Sequence, residues 1–179
     1  MINEFSAKVK STNNKAKYIF YITLALAAVI FAVSFTLEKY SGLVGNAALI
    51  ILVVSILFYT KYVSPEYYYD IMIDSDGTPI FVVRMMSGKR QSTLCRIGLA
   101  EVVKIEREDS AARRANKVPT GVRVYSYCPT FMPEVTYRLH TRSRYERAQI
   151  IIEITDEFSD LLRQYISEAH RLESELDDE

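Results

Sequence analysis

The side chains able to do chemistry are few and far apart in this sequence. Cys95 and Cys128 lie 33 positions apart, and the only histidines are His140 and His170. Zinc ligands come in close pairs, roughly two to five residues apart, and these four do not. No P-loop, G-x-G-x-x-G, G-x-S-x-G or H-E-x-x-H pattern occurs. No metal, no cofactor and no catalytic set is therefore expected. The 22 acidic residues leave one enzymatic route open, because two carboxylates could converge in space for acid–base work. The alternative function is thus a membrane-bound hydrolase or transferase acting on lipid or nucleotide.

Three other clusters invite a binding reading. The connection from Glu108 to Gly121 is longer than most and carries Arg113, Arg114 and Lys117. Beside a bilayer these cations would contact anionic headgroups, each contributing about 1 kcal/mol; otherwise they decorate a solvated loop. Cys128-Pro129-Thr130-Phe131-Met132-Pro133 places two apolar side chains between prolines that stiffen an extended tip. Phe131 and Met132 would dock a partner there, or Phe131 would fold back over the domain. Arg138, Arg142, Arg144 and Arg147 form a second basic cluster. No aromatic stacking set accompanies it and acidic residues are interleaved, so no nucleic-acid partner is expected. Its simplest partner is the acidic end of the chain, in cis or on another copy.

The elements that position these clusters begin with two apolar runs. Tyr18–Leu37 and Tyr40–Thr60 carry no charge, and each holds eleven Leu, Ile, Phe or Val residues. Each is long enough to cross a bilayer core as a helix. Insertion is favourable by about 3 to 7 kcal/mol per run before its few polar residues are counted. Only Glu38 and Lys39 lie between the runs, so the expected element is a tight transmembrane hairpin reading as an uncleaved anchor. Lys8, Lys10, Lys15 and Lys17 precede it and Lys61 comes after it, against Lys39 alone in the turn. That bias predicts a multi-pass protein of the cell (inner) membrane with both termini cytoplasmic. Lys15, Lys17 and Lys61 are the topology determinants. Tyr18, Tyr59 and Tyr62 are interface anchors, since an amphipathic ring prefers the headgroup level.

From residue 64 the pattern shortens to period two. Strands are expected over 67–74, 78–86, 91–97, 102–107, 122–127, 134–140 and 148–154, with 122–127 pairing 134–140. One helix comes after them. Thr155 is its N-cap, Asp156 and Glu157 complement its dipole, and Phe158, Leu161, Leu162, Tyr165, Ile166, Ala169 and Leu172 form its apolar face. The expected organisation is a basic arm (1–17), the hairpin (18–60), a cytoplasmic domain (64–172) and an acidic tail (173–179). The fold class is an α+β membrane protein in which a seven-stranded antiparallel barrel is capped by a C-terminal amphipathic helix.

Over residues 66–172 this organisation resembles the bacterial pleckstrin-homology-like family. The resemblance rests on Arg84–Gly88, on Leu94-Cys95-Arg96-Ile97-Gly98-Leu99-Ala100-Glu101-Val102-Val103-Lys104-Ile105, and on Ile150-Ile151-Ile152-Glu153-Ile154 before the helix. It implies a PH-like barrel beside a helix pair, used for binding or scaffolding rather than catalysis. Asp74, Asp76 and Gly77 stand at the first turn, where phosphoinositide-binding pleckstrin domains carry Lys and Arg. A phosphoinositide site at that turn is not expected.

The net charge of zero is a sum of unlike parts. Residues 1–17 carry +3, residues 61–155 carry +4 and residues 156–179 carry −7. The expected protein is oriented at a membrane. It is non-catalytic, contacts membrane lipid, and holds a protein partner or further copies of itself at the inner membrane face.

Overall fold

The computed structural model describes residues 5–9, 14–37, 40–116, 119–142 and 147–177. Its contacts divide the chain into two units. One lies within Ser11–Pro65; the other joins the first residues to everything from Glu66 onward.

The first unit is a pair of helices, α1 (Lys15–Ser34) and α2 (Ser41–Tyr62). At 1.5 Å per residue each is about 30 Å long, enough to cross a hydrocarbon core. Both are apolar on all sides, and only 11% of each apolar window is buried, unlike the core helix of a soluble protein. Four of their hydroxyls, those of Thr23, Ser34, Ser55 and Thr60, donate to carbonyls of the same helix. Thr23 Oγ1 donates to the Ile19 carbonyl at 2.9 Å, Ser34 Oγ to Phe31 at 2.6 Å and Ser55 Oγ to Ile51 at 2.8 Å. Such back-bonding is how polar residues are tolerated where no water is present. The expected turn residues Glu38 and Lys39 lie outside the described residues.

The second unit is α+β. Strands β1 (Phe5–Val9), β2 (Glu66–Ile73), β3 (Pro79–Ser87) and β4 (Arg90–Gly98) form one antiparallel sheet in that order. Leu99–Glu101 make a 3-10 turn. Next come β5 (Val102–Asp109), helix α3 (Ser110–Ala115), β6 (Arg123–Ser126), β7 (Val135–Arg142), β8 (Arg147–Ile152) and helix α4 (Asp156–Asp177). The second sheet has the order β5-β7-β8-β6.

The structure corrects the sequence-based expectation in three ways. Among the described residues there are eight strands rather than seven, and the two sheets do not close into a barrel. The extra strand is β1, inside the segment expected to be a basic arm; Ala7 pairs with Tyr69 and Val9 with Tyr67. The third correction concerns β6. It pairs with β8, in parallel, and not with β7. Both edges of β7 are already taken, by β5 and by β8. A connection holding Pro129 and Pro133 cannot form a tight two-residue hairpin, because its central residues are fixed and short of N–H donors. It runs over the end of β8 instead, with the Tyr127 N–H donating to the Ile151 carbonyl at 2.9 Å.

The core lies between the sheets and is covered by α4. Tyr69, Phe81, Leu99, Leu139, Ile152 and Leu162 are fully buried in one cluster. Each such side chain contributes about 1.5–3 kcal/mol by leaving water. The apolar face expected for α4 is the one that packs: Phe158, Leu162 and Ala169 are buried, whereas Leu172 is partly exposed. Thr155 Oγ1 accepts from the Phe158 N–H at 3.2 Å, which makes it the side-chain cap. His170, exposed on α4, donates from Nε2 to the Ala100 carbonyl at 3.0 Å and so ties α4 to the 3-10 turn.

Candidate interaction surface

Two of the sequence clusters meet. Asp109 caps α3 by accepting from the Ala112 N–H at 2.6 Å, which starts the helix directly from the end of β5. One turn later Arg113 reaches the Pro129–Pro133 tip and donates from Nη2 to the Pro133 carbonyl at 3.0 Å. Its Nε is buried without an acceptor. The other side of the tip is held by Glu153, just past β8. Glu153 accepts from the Thr130 N–H at 3.0 Å and from the Thr130 hydroxyl at 2.6 Å. Pro129, Thr130 and Pro133 are buried, Phe131 is half-buried, and Met132 is 68% exposed.

Met132 has φ 56°, in the left-handed region that residues other than glycine rarely occupy. It is the only such non-glycine residue among those described. The strain, of order 1 kcal/mol, persists because the braces on both sides over-determine the backbone. The tip is therefore a fixed projection carrying one large apolar side chain. Phe131 partly folds back and Met132 does not. Sequence reasoning found the pair but not the brace, because nothing in the spacing of Arg113 and Pro133 shows that α3 folds onto the tip.

Arg113 thus has a structural task of its own. The Arg114 side chain and Lys117 lie outside the described residues. Lys17 is exposed, and Tyr18 and Tyr59 are 67% and 40% exposed, with the Phe20 and Tyr59 rings 4.9 Å apart. Lys15 is exposed, Tyr62 is half-buried, and Lys61 Nζ lies 5.2 Å from the Tyr62 ring centroid.

The second basic cluster separates. Arg138 is 4% exposed and pairs with Glu108, itself 2% exposed, through Nη2–Oε2 at 2.9 Å and Nε–Oε1 at 2.8 Å. The Nε contact is an ion pair rather than an aligned hydrogen bond. Gln149 and Asn116 complete this group, accepting from Arg138 and donating to Glu108. The partner of Arg138 is thus Glu108, not the acidic end of the chain. Arg142 and Arg147 are exposed, and Arg144 lies outside the described residues.

No family model matches the chain, and no curated protein matches it. Function must come from the geometry. Among the described residues no group of three or more His, Cys, Asp or Glu side chains is placed to hold a metal ion. Both cysteines are free. Burial pushes the Cys128 and Cys95 thiols each up to about 11, away from the range of a nucleophile at neutral pH. On the first sheet, three basic residues are matched: Lys8 with Glu66 at 2.6 Å, Arg84 with Asp70, and Arg96 with Asp74. Asp74, expected to repel phosphate at the first turn, is engaged by the Ser75 N–H and by Arg96, which hold its carboxyl below the usual range.

Proposed function

We propose that this chain is a membrane-anchored interaction module whose braced tip holds a protein partner, or a second copy, at the membrane face. The observation that carries this reading is Met132, an exposed apolar side chain on backbone held from both sides by Arg113 and Glu153. Preorganised apolar anchors make the best docking contacts, because little conformational freedom is lost on binding.

The helix pair supports the anchoring. β1 and β2 belong to one sheet, while α1 and α2 lie between them in the chain. A bilayer crossed by α1 must then be recrossed by α2, so both flanks lie on one side. Lys15, Lys17 and Lys61 favour the cytoplasmic side of the cell (inner) membrane. The seven strands and the closing helix from Glu66 onward, with β1 added at the sheet edge, support a PH-like scaffold in an open form, with no catalytic role. Arg113, Arg114 and Lys117 are proposed to contact anionic headgroups as well.

The test is photocrosslinking from position 132 of the full chain in native membranes. A discrete protein adduct supports the reading. Adducts with lipid alone, or none, remove it. A Met132→Gly variant should keep the fold and, carrying no side chain, reduce capture by at least tenfold when the crosslinker is moved to position 131.

A further inference from the structure

The charges of the first sheet are sorted between its two ends. From Gly77 to Ala100 the chain has no acidic residue and four basic ones, Arg84, Lys89, Arg90 and Arg96. Arg84 is taken by Asp70 and Arg96 by Asp74. Lys89 and Arg90 have no ion-pair partner among the described residues.

Both sit at the β3–β4 turn. Ser87 is opposite Arg90 in the ladder, so Gly88 and Lys89 make a two-residue connection. Gly88 has φ 61° and Lys89 does not have a positive φ. That is the type II′ arrangement, whose twist matches the flanking strands and which needs glycine first. Residues 87–93 are all exposed, so the turn projects as a fixed point. By register Ser87, Arg90 and Ser92 share one face. A guanidinium flanked by two hydroxyls suits the oxygens of a phosphate.

Chain connectivity shows which end of the sheet this is. Met86 is opposite both Glu66 and Gln91. Glu66 opens β2, with three residues between it and Tyr62, the last of α2. Those four steps span at most about 14 Å. Val9, opposite Tyr67, ends β1, with five residues between it and Lys15, the first of α1. The five, Lys10-Ser11-Thr12-Asn13-Asn14, add a lysine and no acid. Glu66, the acid at this end, is already paired with Lys8. The basic turn therefore belongs to the end of the sheet from which the chain runs into both apolar helices. Asp74 and Asp76 stand at the other end, about 23 Å away along β2 at roughly 3.3 Å per residue.

We propose that the β3–β4 turn is a membrane contact, at which Lys89 and Arg90 bind the phosphates of anionic lipid headgroups in the bilayer that α1 and α2 cross. This rests on the anchoring reading above and uses neither Met132 nor the Arg113 region. A negative leaflet draws in the basic end and repels the acidic one, and the effect fades beyond a Debye length. Arg90 supplies the forked, directional contact and Lys89 a mobile point charge. With the two chain connections as the other supports, the sheet is held at a constant tilt.

The experiment uses the full chain in nanodiscs, in the Cys95→Ala/Cys128→Ala background, with a fluorophore on Gln91→Cys or, separately, on Ser75→Cys. Quenching by a trace of nitroxide-headgroup lipid is read in phosphatidylcholine alone and in a mixture with phosphatidylglycerol. With the anionic lipid, quenching at position 91 should rise about threefold and fall back in high salt, whereas position 75 should not change. Lys89→Gln/Arg90→Gln should abolish the rise and leave the thermal midpoint unchanged, since both side chains are exposed. Equal quenching at position 91 in both bilayers, or a rise that survives the double variant, overturns the proposal. So does reversal by inorganic phosphate at constant ionic strength, which would assign the turn to the free ion. A chain that co-elutes with nanodiscs but shows no rise overturns this proposal alone; one that does not co-elute removes the anchoring reading as well.

Discussion

Ala7 pairs with Tyr69 across the β1–β2 ladder, although both apolar helices lie between them in the chain. The pairing makes the residues before α1 an edge strand of the second unit, with Ala7 and Val9 packed against its core. Proline at position 7 removes an N–H and clashes with the ladder. Ala7→Pro should lower the thermal midpoint of the full chain in micelles by several degrees. Single cysteines at Ser6 and Ser75 should be labelled by an impermeant maleimide from the same side of sealed vesicles. Labelling from opposite sides would contradict the shared sheet.

Arg113 is expected to act on the tip more than on global stability. Arg113→Met removes the bond to the Pro133 carbonyl and the buried, unpaired Nε together. A charged hydrogen bond contributes about 1.5–3 kcal/mol, and relief of the orphan donor offsets part of its loss. The net loss should be about 1 kcal/mol by denaturant titration. Amide exchange over residues 130–132 should accelerate at least tenfold, while that of the core residue Leu139 should rise only about fivefold, as a global loss of about 1 kcal/mol requires.

The buried Glu108–Arg138 pair gives a prediction with a sign. Arg138→Met alone leaves Glu108 buried without its partner and should cost about 3–5 kcal/mol. The double variant Glu108→Leu/Arg138→Met should recover most of that, because two apolar groups replace two desolvated charges. Equal unfolding free energies for the single and double variants would show that the pair is not coupled.

Both thiols should be slow to react. A thiol held at about 11 is ionised on the order of 100-fold less at pH 8 than one near 8.5, so Cys95 and Cys128 should alkylate that much more slowly in the native chain than in urea. Their folded values are raised by burial, so the stability they contribute is complete below the unfolded value. It is lost as pH climbs from about 8.5 toward 11. Thermal midpoints measured from pH 8 to pH 11 should fall, and the Cys95→Ala/Cys128→Ala variant should fall less.

The first turn should respond at the other end of the scale. Asp74 is lowered chiefly by the Ser75 N–H and by Arg96, and Asp76 by the Thr78 hydroxyl and N–H. Depressed carboxyls stabilise the turn above their unfolded pKa and lose that effect as pH falls through the folded value. Carboxyl chemical shifts of isotope-labelled aspartates should therefore titrate below the ordinary range, and Arg96→Gln should move Asp74 upward but leave Asp76 nearly in place.

Much of this fold is written in local pattern. The uncharged runs before and after residue 38 became α1 and α2, and the three-and-four spacing from Phe158 to Ala169 became the buried face of α4. Most strands match their period-two stretches. β1 carried the same signal, with Phe5, Ala7 and Val9 alternating with Ser6 and Lys8, but beside a lysine-flanked helix it read as an arm. Its partner, β2, is brought back only by the helical hairpin.

The amino-acid order alone determined the two helices, the strand-rich character of the chain beyond residue 64, the capping of α4 and the apolar pair Phe131 and Met132. Those features depend on periodicity and on neighbours within a turn, which any reader of the chain can count. Tertiary structure decided which strands pair, that the sheets stay open between β4 and β6, that Arg113 grips Pro133, and that Arg138 is buried against Glu108. Each of these is a competition among distant partners for the same edge or charge. Its winner depends on how the whole core packs, and no local spacing records the outcome.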